Sequence, residues 1–271
     1  MPKILDIRLR GPKPIDRFAH SKGLRALVLG WIARESPDAA VTLHEAGKPK
    51  PYSISPLGPC ENGDFRFRIG VLTDWASALI IQGATKSPEV IRLGHDSYNR
   101  LGEIIVTSDV TWRELLEAPV SPPWKFDIVT PAAFHSEGTV RHAIVLPEPA
   151  LYFGSLLGRW QNCCPQPFSG IDWQDAKTNL FVSAFDGKSE CRVLDDKRKF
   201  VGFIGSVTFD MDRASFVSKH KYLGALARLA PYCGVGVETM RGFGQVRLVD
   251  VSQQREKVTW QKQSFAPAAS R

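Results

Sequence analysis

Four glycines near the C-terminus, Gly234, Gly236, Gly242 and Gly244, form the pattern G-x-G-x5-G-x-G, with Arg241 inside it and Arg247 just beyond. Glycine reaches backbone conformations closed to other residues and lets the main chain approach a ligand closely. Such a run can aim several amides into one anion-binding concavity. The two arginines bring positive charge to the same place. The pattern is not a dinucleotide fingerprint, because Thr239 stands where a third glycine is needed. It is not a Walker A loop, because no Gly-Lys-Ser/Thr follows. The same spacing also serves a hairpin or bulged strand that needs glycine for geometry alone. Histidine is the side chain that exchanges protons near neutral pH. His44 closes a short predicted helix, where the dipole favours a protonated imidazole, and His20 opens the first predicted helix. His95, His135 and His142 fall in or beside loops, and none has metal-ligand spacing with a partner. Asp210 and Asp212 are paired acids of the kind that hold a divalent ion in two-metal nucleases, but they read better as the cap of the next helix. No Ser-His-Asp context and no Gly-x-Ser-x-Gly occur, so no metal site and no cofactor are expected.

The chain that carries these residues has 271 of them, 43% hydrophobic and 23% charged, which is the balance of a folded protein and not of a disordered one. That length suits two small domains better than one. The formal charge of +7 favours an anionic partner: nucleic acid, an acidic protein or an anionic membrane surface. Five cysteines without Cys-x-x-Cys spacing argue against a disulfide framework and a structural zinc, and fit a reducing, cytoplasmic setting. No apolar run reaches the roughly 18 residues of a spanning helix, so no membrane partner is expected. The N-terminus reads as a strand and not as a signal peptide.

The elements that must position these groups follow from periodicity. Residues 3–10 alternate, with Leu5, Ile7 and Leu9 against Asp6, Arg8 and Arg10, and predict a strand with one basic edge or face. Leu24, Leu27, Val28, Trp31 and Ile32 form a helical stripe. Ser36-Pro37-Asp38 is a helix start and Gly47 a helix stop. Strands are predicted at 50–56, 65–72 and 102–108, with a helix at 75–81. The proline-rich stretch 118–123 is the linker. Beyond it, strands at 126–130, 140–146, 179–185, 200–209 and 245–251 alternate with helices at 149–160 and 214–230. The basic run Lys197-Arg198-Lys199 falls at a hairpin tip, a natural contact for RNA phosphates, and Lys221 and Arg228 lie seven residues apart on one helix face. Each half reads as βαββαβ, the α+β ferredoxin-like order that RNA-recognition modules use. The expected division is 1–118, 124–252 and a polar tail at 253–271.

A helix, the G-x-G-x5-G-x-G segment and a closing strand at the end of a tandem βαββαβ chain resemble the RAMP superfamily of CRISPR-associated proteins. Residues 37–47, with Leu43-His44-Glu45, and residues 50–57 look like the N-terminal signature of its pre-crRNA-processing endoribonucleases. Residues 202–207 are similar to the strand before that family's last helix. The resemblance runs from about residue 4 to residue 250. It implies a metal-independent endoribonuclease that cuts CRISPR repeat RNA by 2′-hydroxyl attack, leaving 5′-hydroxyl and 2′,3′-cyclic phosphate ends. By the same resemblance, His44 matches the family histidine and Lys50 the catalytic-region lysine, with Lys48 its near competitor. Many relatives carry a tyrosine where Leu29 stands, so His20 becomes the alternative second group and Arg25 a further cation. The departure at Leu29 keeps a second reading open, a non-catalytic RNA-binding subunit of a CRISPR effector complex. Expected partners are therefore repeat RNA and effector-complex subunits, with the chain a monomer or a homodimer.

Overall fold

Two antiparallel sheets, each covered on one face by helices, make up the computed structural model, which describes residues 1–44, 49–117, 121–135, 143–194, 199–211 and 219–249. In the first half the elements are β1 (Lys3–Arg10), α1 (Ser21–Glu35), α2 (Pro37–His44), β2 (Tyr52–Ile54), β3 (Gly58–Pro59), β4 (Phe65–Val71), α3 (Asp74–Thr85), β5 (Val90–Leu93), β6 (Asp96–Arg100), β7 (Ile105–Asp109) and α4 (Trp112–Glu117). The second half contains β8 (Trp124–Ala132), β9 (Phe134–His135), β10 (Ala143–Ile144), α5 (Pro149–Cys163), α6 (Trp173–Asn179), β11 (Leu180–Val193), β12 (Lys199–Met211), α7 (His220–Cys233) and β13 (Val246–Val249).

The period-two pattern of the strands decides their faces. On β1, Leu5, Ile7 and Leu9 are buried while Arg8 and Arg10 are exposed. On β4, Phe65, Phe67 and Ile69 are buried while Arg66 and Arg68 face out. The two strands pair from Lys3↔Val71 to Leu9↔Phe65, so both apolar rows lie under α1 and α3. Leu24, Val28, Trp31 and Ile32 of α1 complete that core. β1 is thus a central strand with a basic face, not a basic edge. Its far side is shared: β7 pairs with Lys3 to Asp6, and β6 with Leu9 and Arg10. In the second half the order is β11-β12-β8-β13. Both halves place their strands in the ferredoxin-like order second, third, first, fourth, and the fold is tandem ferredoxin-like α+β. The second core gathers Trp124, Phe126, Phe153, Trp160 and Phe209 between sheet and helices. Burying a side chain of this size contributes roughly 2–3 kcal/mol relative to leaving it in water.

Several elements differ from the sequence expectation. Of the strand expected at 140–146, the described part, Ala143–Ile144, pairs among the described residues only with Phe134–His135 in a two-stranded ribbon, because β8 already has β12 and β13 on its two sides. The β5–β6 hairpin, α4 and α6 were not expected. α4 does carry a legible start: Thr111 and Glu114 cap each other, with Thr111 N donating to Glu114 Oε2 (2.7 Å) and Glu114 N to Thr111 Oγ1 (3.0 Å). α6 has the same device in Asp172 and Asp175. The helix expected at 214–230 is described from His220 and runs on to Cys233 through Pro231. α4 precedes the proline-rich linker, yet Trp112 packs edge-on against Trp160 (4.9 Å) and Leu115 joins the second core. Among the described residues no helix is long and apolar enough to cross a membrane.

Candidate nucleic-acid interface and active site

The polar faces of the two sheets meet across a cleft of about 550 Å³, lined by Ser55 to Pro59, Arg66 and Arg68 from one side and by Val129, Thr130 and Gln245 to Arg247 from the other. Arg17, from the segment after β1, reaches in and donates from Nη2 to Val129 O (2.5 Å). Four guanidinium groups thus surround one concavity. Alternation explains the β4 pair, since both arginines occupy the positions opposite the buried phenylalanines. Asp6, on the facing row of β1, is buried. Its Oδ2 sits 3.4 Å from Arg68 Nε and 3.8 Å from Arg66 Nη1, and its Oδ1 has no hydrogen-bond partner among the described residues. One carboxylate against two arginines leaves the wall positive, with Arg66 and Arg68 still 44% and 48% exposed. Planar guanidinium forks match phosphate oxygens two at a time. Burial lowers the Arg17 pKa, with nearby Glu190 opposing. The Arg17 and Arg192 guanidinium groups both lie against the Phe18 ring, at 5.1 and 5.3 Å. Phe18 in turn stacks on Phe243 of the glycine-rich segment (4.8 Å).

That segment is not the open cradle of amides the sequence suggested. Gly234 N donates to Ala230 O, Gly236 N to Ser155 Oγ (3.0 Å), and Gly244 N to Pro131 O (2.9 Å). Val235 N bonds Gly244 O and Val237 N bonds Ala133 O. All four glycines have positive φ, and the backbone crowds them: a Cβ on Gly236 would stand 2.2 Å from Ala133 O, and one on Gly244 2.0 Å from Val235 O. The glycines therefore serve a tight turn and close packing. Arg159 of α5, itself buried, ties the turn down by donating to Ser155 Oγ (2.6 Å), Gly236 O (3.2 Å) and Thr239 Oγ1 (3.1 Å). The turn also joins the two halves. Gln245 Nε2 donates to Ile54 O (3.2 Å), Ser53 Oγ to Tyr232 O (3.2 Å), and Gly242 abuts Pro56.

The two arginines of the segment part company. Arg241 folds inward beside Glu238 (3.4 Å), whereas Arg247 is exposed on β13 and lines the cleft. The α7 pair separates as well: Arg228 donates to Glu114 O, while Lys221 lies over the Tyr222 ring.

The proton-transfer candidates sit on the helical side of the first half. α2 starts as expected, with Ala39 N bonded to Ser36 Oγ (3.3 Å), and its last turn buries Leu43 while leaving His44 exposed. Lys50, half-buried, comes just before β2. His20 is different. It is 7% exposed at the start of α1, and its Nε2 lies 2.9 Å from Tyr98 Oη and 3.2 Å from Asp96 Oδ2, both on the unexpected β5–β6 hairpin. Arg25, on the same helix, is partly buried, and its charge favours ionisation of Tyr52, whose pKa burial nonetheless drives upward. Leu29 packs against the first core. None of His20, His44 and Lys50 lines the arginine cleft. Lys199 opens β12, exposed and opposite Val193. Lys48, Lys197, Arg198, Asp212 and the tail at 253–271 lie outside the described residues. Sequence reading missed Arg17, Arg66 and Arg68 as site residues; the Phe65-Arg-Phe-Arg68 alternation was the available signal.

The model for the CRISPR-associated endoribonuclease Cas6 matches residues 126–246. Among solved structures, the chain is similar to a Cas6 (TTHB231) product complex, with a TM-score of 0.80 and 29% identity over 92% of this chain and 100% of that one. The Thermus thermophilus Cas6 (TTHB231) gives a TM-score of 0.67 at 27% identity, covering 92% and 98%. A Cas6-related protein from Pyrococcus furiosus shares the fold at 12% identity, with a TM-score of 0.65 over 92% and 99%. No curated protein sequence matches the chain.

Proposed function

We propose that the chain, which resembles the CRISPR-associated endoribonuclease Cas6, is an enzyme of that kind and cuts CRISPR repeat RNA without a metal ion, by attack of a ribose 2′-hydroxyl on the neighbouring phosphodiester. The products are a 5′-hydroxyl and a 2′,3′-cyclic phosphate. The observation that carries the reading is the cleft in which Arg17, Arg66, Arg68 and Arg247 converge from both halves, a grip for an anionic backbone. His44, exposed at the end of α2, protonates the leaving 5′-oxygen. Lys50 steadies the negative phosphorane. His20, held between Tyr98 and Asp96, is the second candidate for proton transfer.

The test is cleavage of repeat RNA in EDTA, with and without a single 2′-deoxy substitution at the scissile nucleotide. The proposal requires cutting in EDTA and loss of cutting with the deoxy substrate. His44→Ala is expected to bind repeat RNA normally and to cut about 10²–10⁴-fold more slowly. An unchanged rate would move the role to His20. Leu29, where many relatives have tyrosine, favours one other reading, an RNA-holding subunit of an effector complex. Tight binding with no cut product over long incubation is its signature.

A further inference from the structure

Asp6 is a carboxylate that a grip for phosphates does not explain. Ile4 lines the cleft, and Asp6, two residues further along β1, points to the same face. It stands directly across from Arg68 on β4. Its side chain is only 5% exposed, against the half-exposed guanidinium groups of Arg66 and Arg68. Both contacts fall on Oδ2. At 3.4 and 3.8 Å they are longer than the about 2.7–2.9 Å of a charge-assisted hydrogen bond. Oδ1 is buried and has no hydrogen-bond partner among the described residues. A buried acceptor left unpaired destabilises the fold, more so when it carries charge. A wall that had only to attract phosphate would be better without it.

We infer that Asp6 is a specificity residue that reads the sugar of the bound strand: its Oδ1 accepts a hydrogen bond from the 2′-hydroxyl of a nucleotide whose phosphate Arg66 and Arg68 hold. The inference rests on the reading of the cleft as a grip for RNA. The two guanidinium groups meet Asp6 through long contacts and lie half in water. A phosphate, which takes a guanidinium fork two oxygens at a time, draws them outward. Their departure uncovers Oδ1. A carboxylate oxygen only accepts, so the group that arrives there must donate, and a phosphodiester has no donor. The 2′-hydroxyl is the donor that adjoins a held phosphate on the same sugar, and DNA lacks it. The carboxylate also repels a phosphate that settles too deep, which leaves the ribose against β1. His20, His44 and Lys50 do not line the cleft, so the hydroxyl that Asp6 reads is not the one that attacks.

The test is fluorescence anisotropy of the full chain with repeat RNA made uncleavable by one 2′-deoxy sugar at the scissile nucleotide. In this RNA the other sugars are changed one at a time to 2′-fluoro, which keeps the ribose pucker but cannot donate. Wild type is expected to lose about tenfold in affinity at one or two positions. Asp6→Ala should bind the parent RNA and the RNAs substituted at those positions equally well. Asp6→Val, whose branched side chain suits a strand, should do the same and serves where the alanine variant does not fold, as circular dichroism would show. A role in folding alone would weaken all the RNAs alike and leave the preference for hydroxyl intact. Indifference of the wild type to every fluoro substitution, or the same preference in wild type and variant, would overturn the inference while the RNA grip stands. Failure of the wild type to bind repeat RNA at all would overturn both.

Discussion

In the first half the candidate chemical groups stand at helix ends: His20 before α1 and His44 at the last turn of α2. In the second half the connection after α7 is the glycine-rich turn, whose amides bond to Ser155, Ala133 and Pro131 and whose Cα atoms press on neighbouring carbonyls. The two halves share a topology and divide the work. His44, at an exposed helix end, is free to be chosen for chemistry, whereas His20 is buried against Tyr98 and Asp96. A glycine in a crowded turn is dictated by sterics. The family match over 126–246 covers the sterically pinned half and leaves out His44. What is easiest to read in the sequence is therefore the frame, whereas the chemistry we propose lies in the other half.

This division can be broken by substitution. The largest effect expected is on catalysis: His44→Ala should slow cleavage about 10²–10⁴-fold while changing stability by no more than ~0.5 kcal/mol. A large fall in melting temperature would place His44 in the frame instead. Next comes Gly244→Ala, which combines positive φ with a Cβ 2.0 Å from Val235 O. Urea unfolding should show a loss of about 3 kcal/mol or more. Gly63→Ala, also at positive φ but with nothing near its Cβ, should cost only about 1 kcal/mol. Similar losses at the two glycines would mean that φ alone, and not the crowding, sets the requirement.

A smaller change is expected from Arg66→Gln and Arg247→Gln, one from each sheet. Each should lower the salt dependence of RNA binding by about one counterion, and the two effects should add. If only one responds, the RNA follows one half and not the cleft. The smallest difference concerns thiols. Burial pushes the Cys163 thiol up to about 11 and Cys233 up to about 12, while Cys191 is exposed on β11. Only the thiolate is alkylated. In the native protein at pH 8, Cys191 should label readily and Cys163 and Cys233 should stay unmodified, as mass spectrometry would show.

Much of the fold was legible because it depends on local patterns. The alternation in 3–10 and 65–72, the Ser36-Pro37 helix start and the proline opening α5 all concern residues within a turn or a strand of one another. The ribbon at Ala143–Ile144 and the β5–β6 hairpin were missed for the opposite reason. A short strand is defined by its partner, and Asp96 to Arg100 carries no apolar alternation that would announce one. The site was legible in part. His44 and Arg247 could be singled out by type and context, but the cleft's remaining arginines look, in sequence, like the solvent side of ordinary strands.

By itself, the sequence determined the tandem βαββαβ order, the basic character of the chain, the exposed histidine at the end of α2 and the need for glycine at residues 234–244. Only the tertiary structure decided what those glycines are for. Gly236 N bonds Ser155 Oγ and Gly244 N bonds Pro131 O, partners far away in the sequence, and no local pattern encodes them. Arg66 and Arg68 are farther still from Arg247 in the sequence. They form one positive wall because Gln245 bonds to Ile54 and Ser53 to Tyr232, contacts that hold one sheet against the other and turn scattered charges into a single surface.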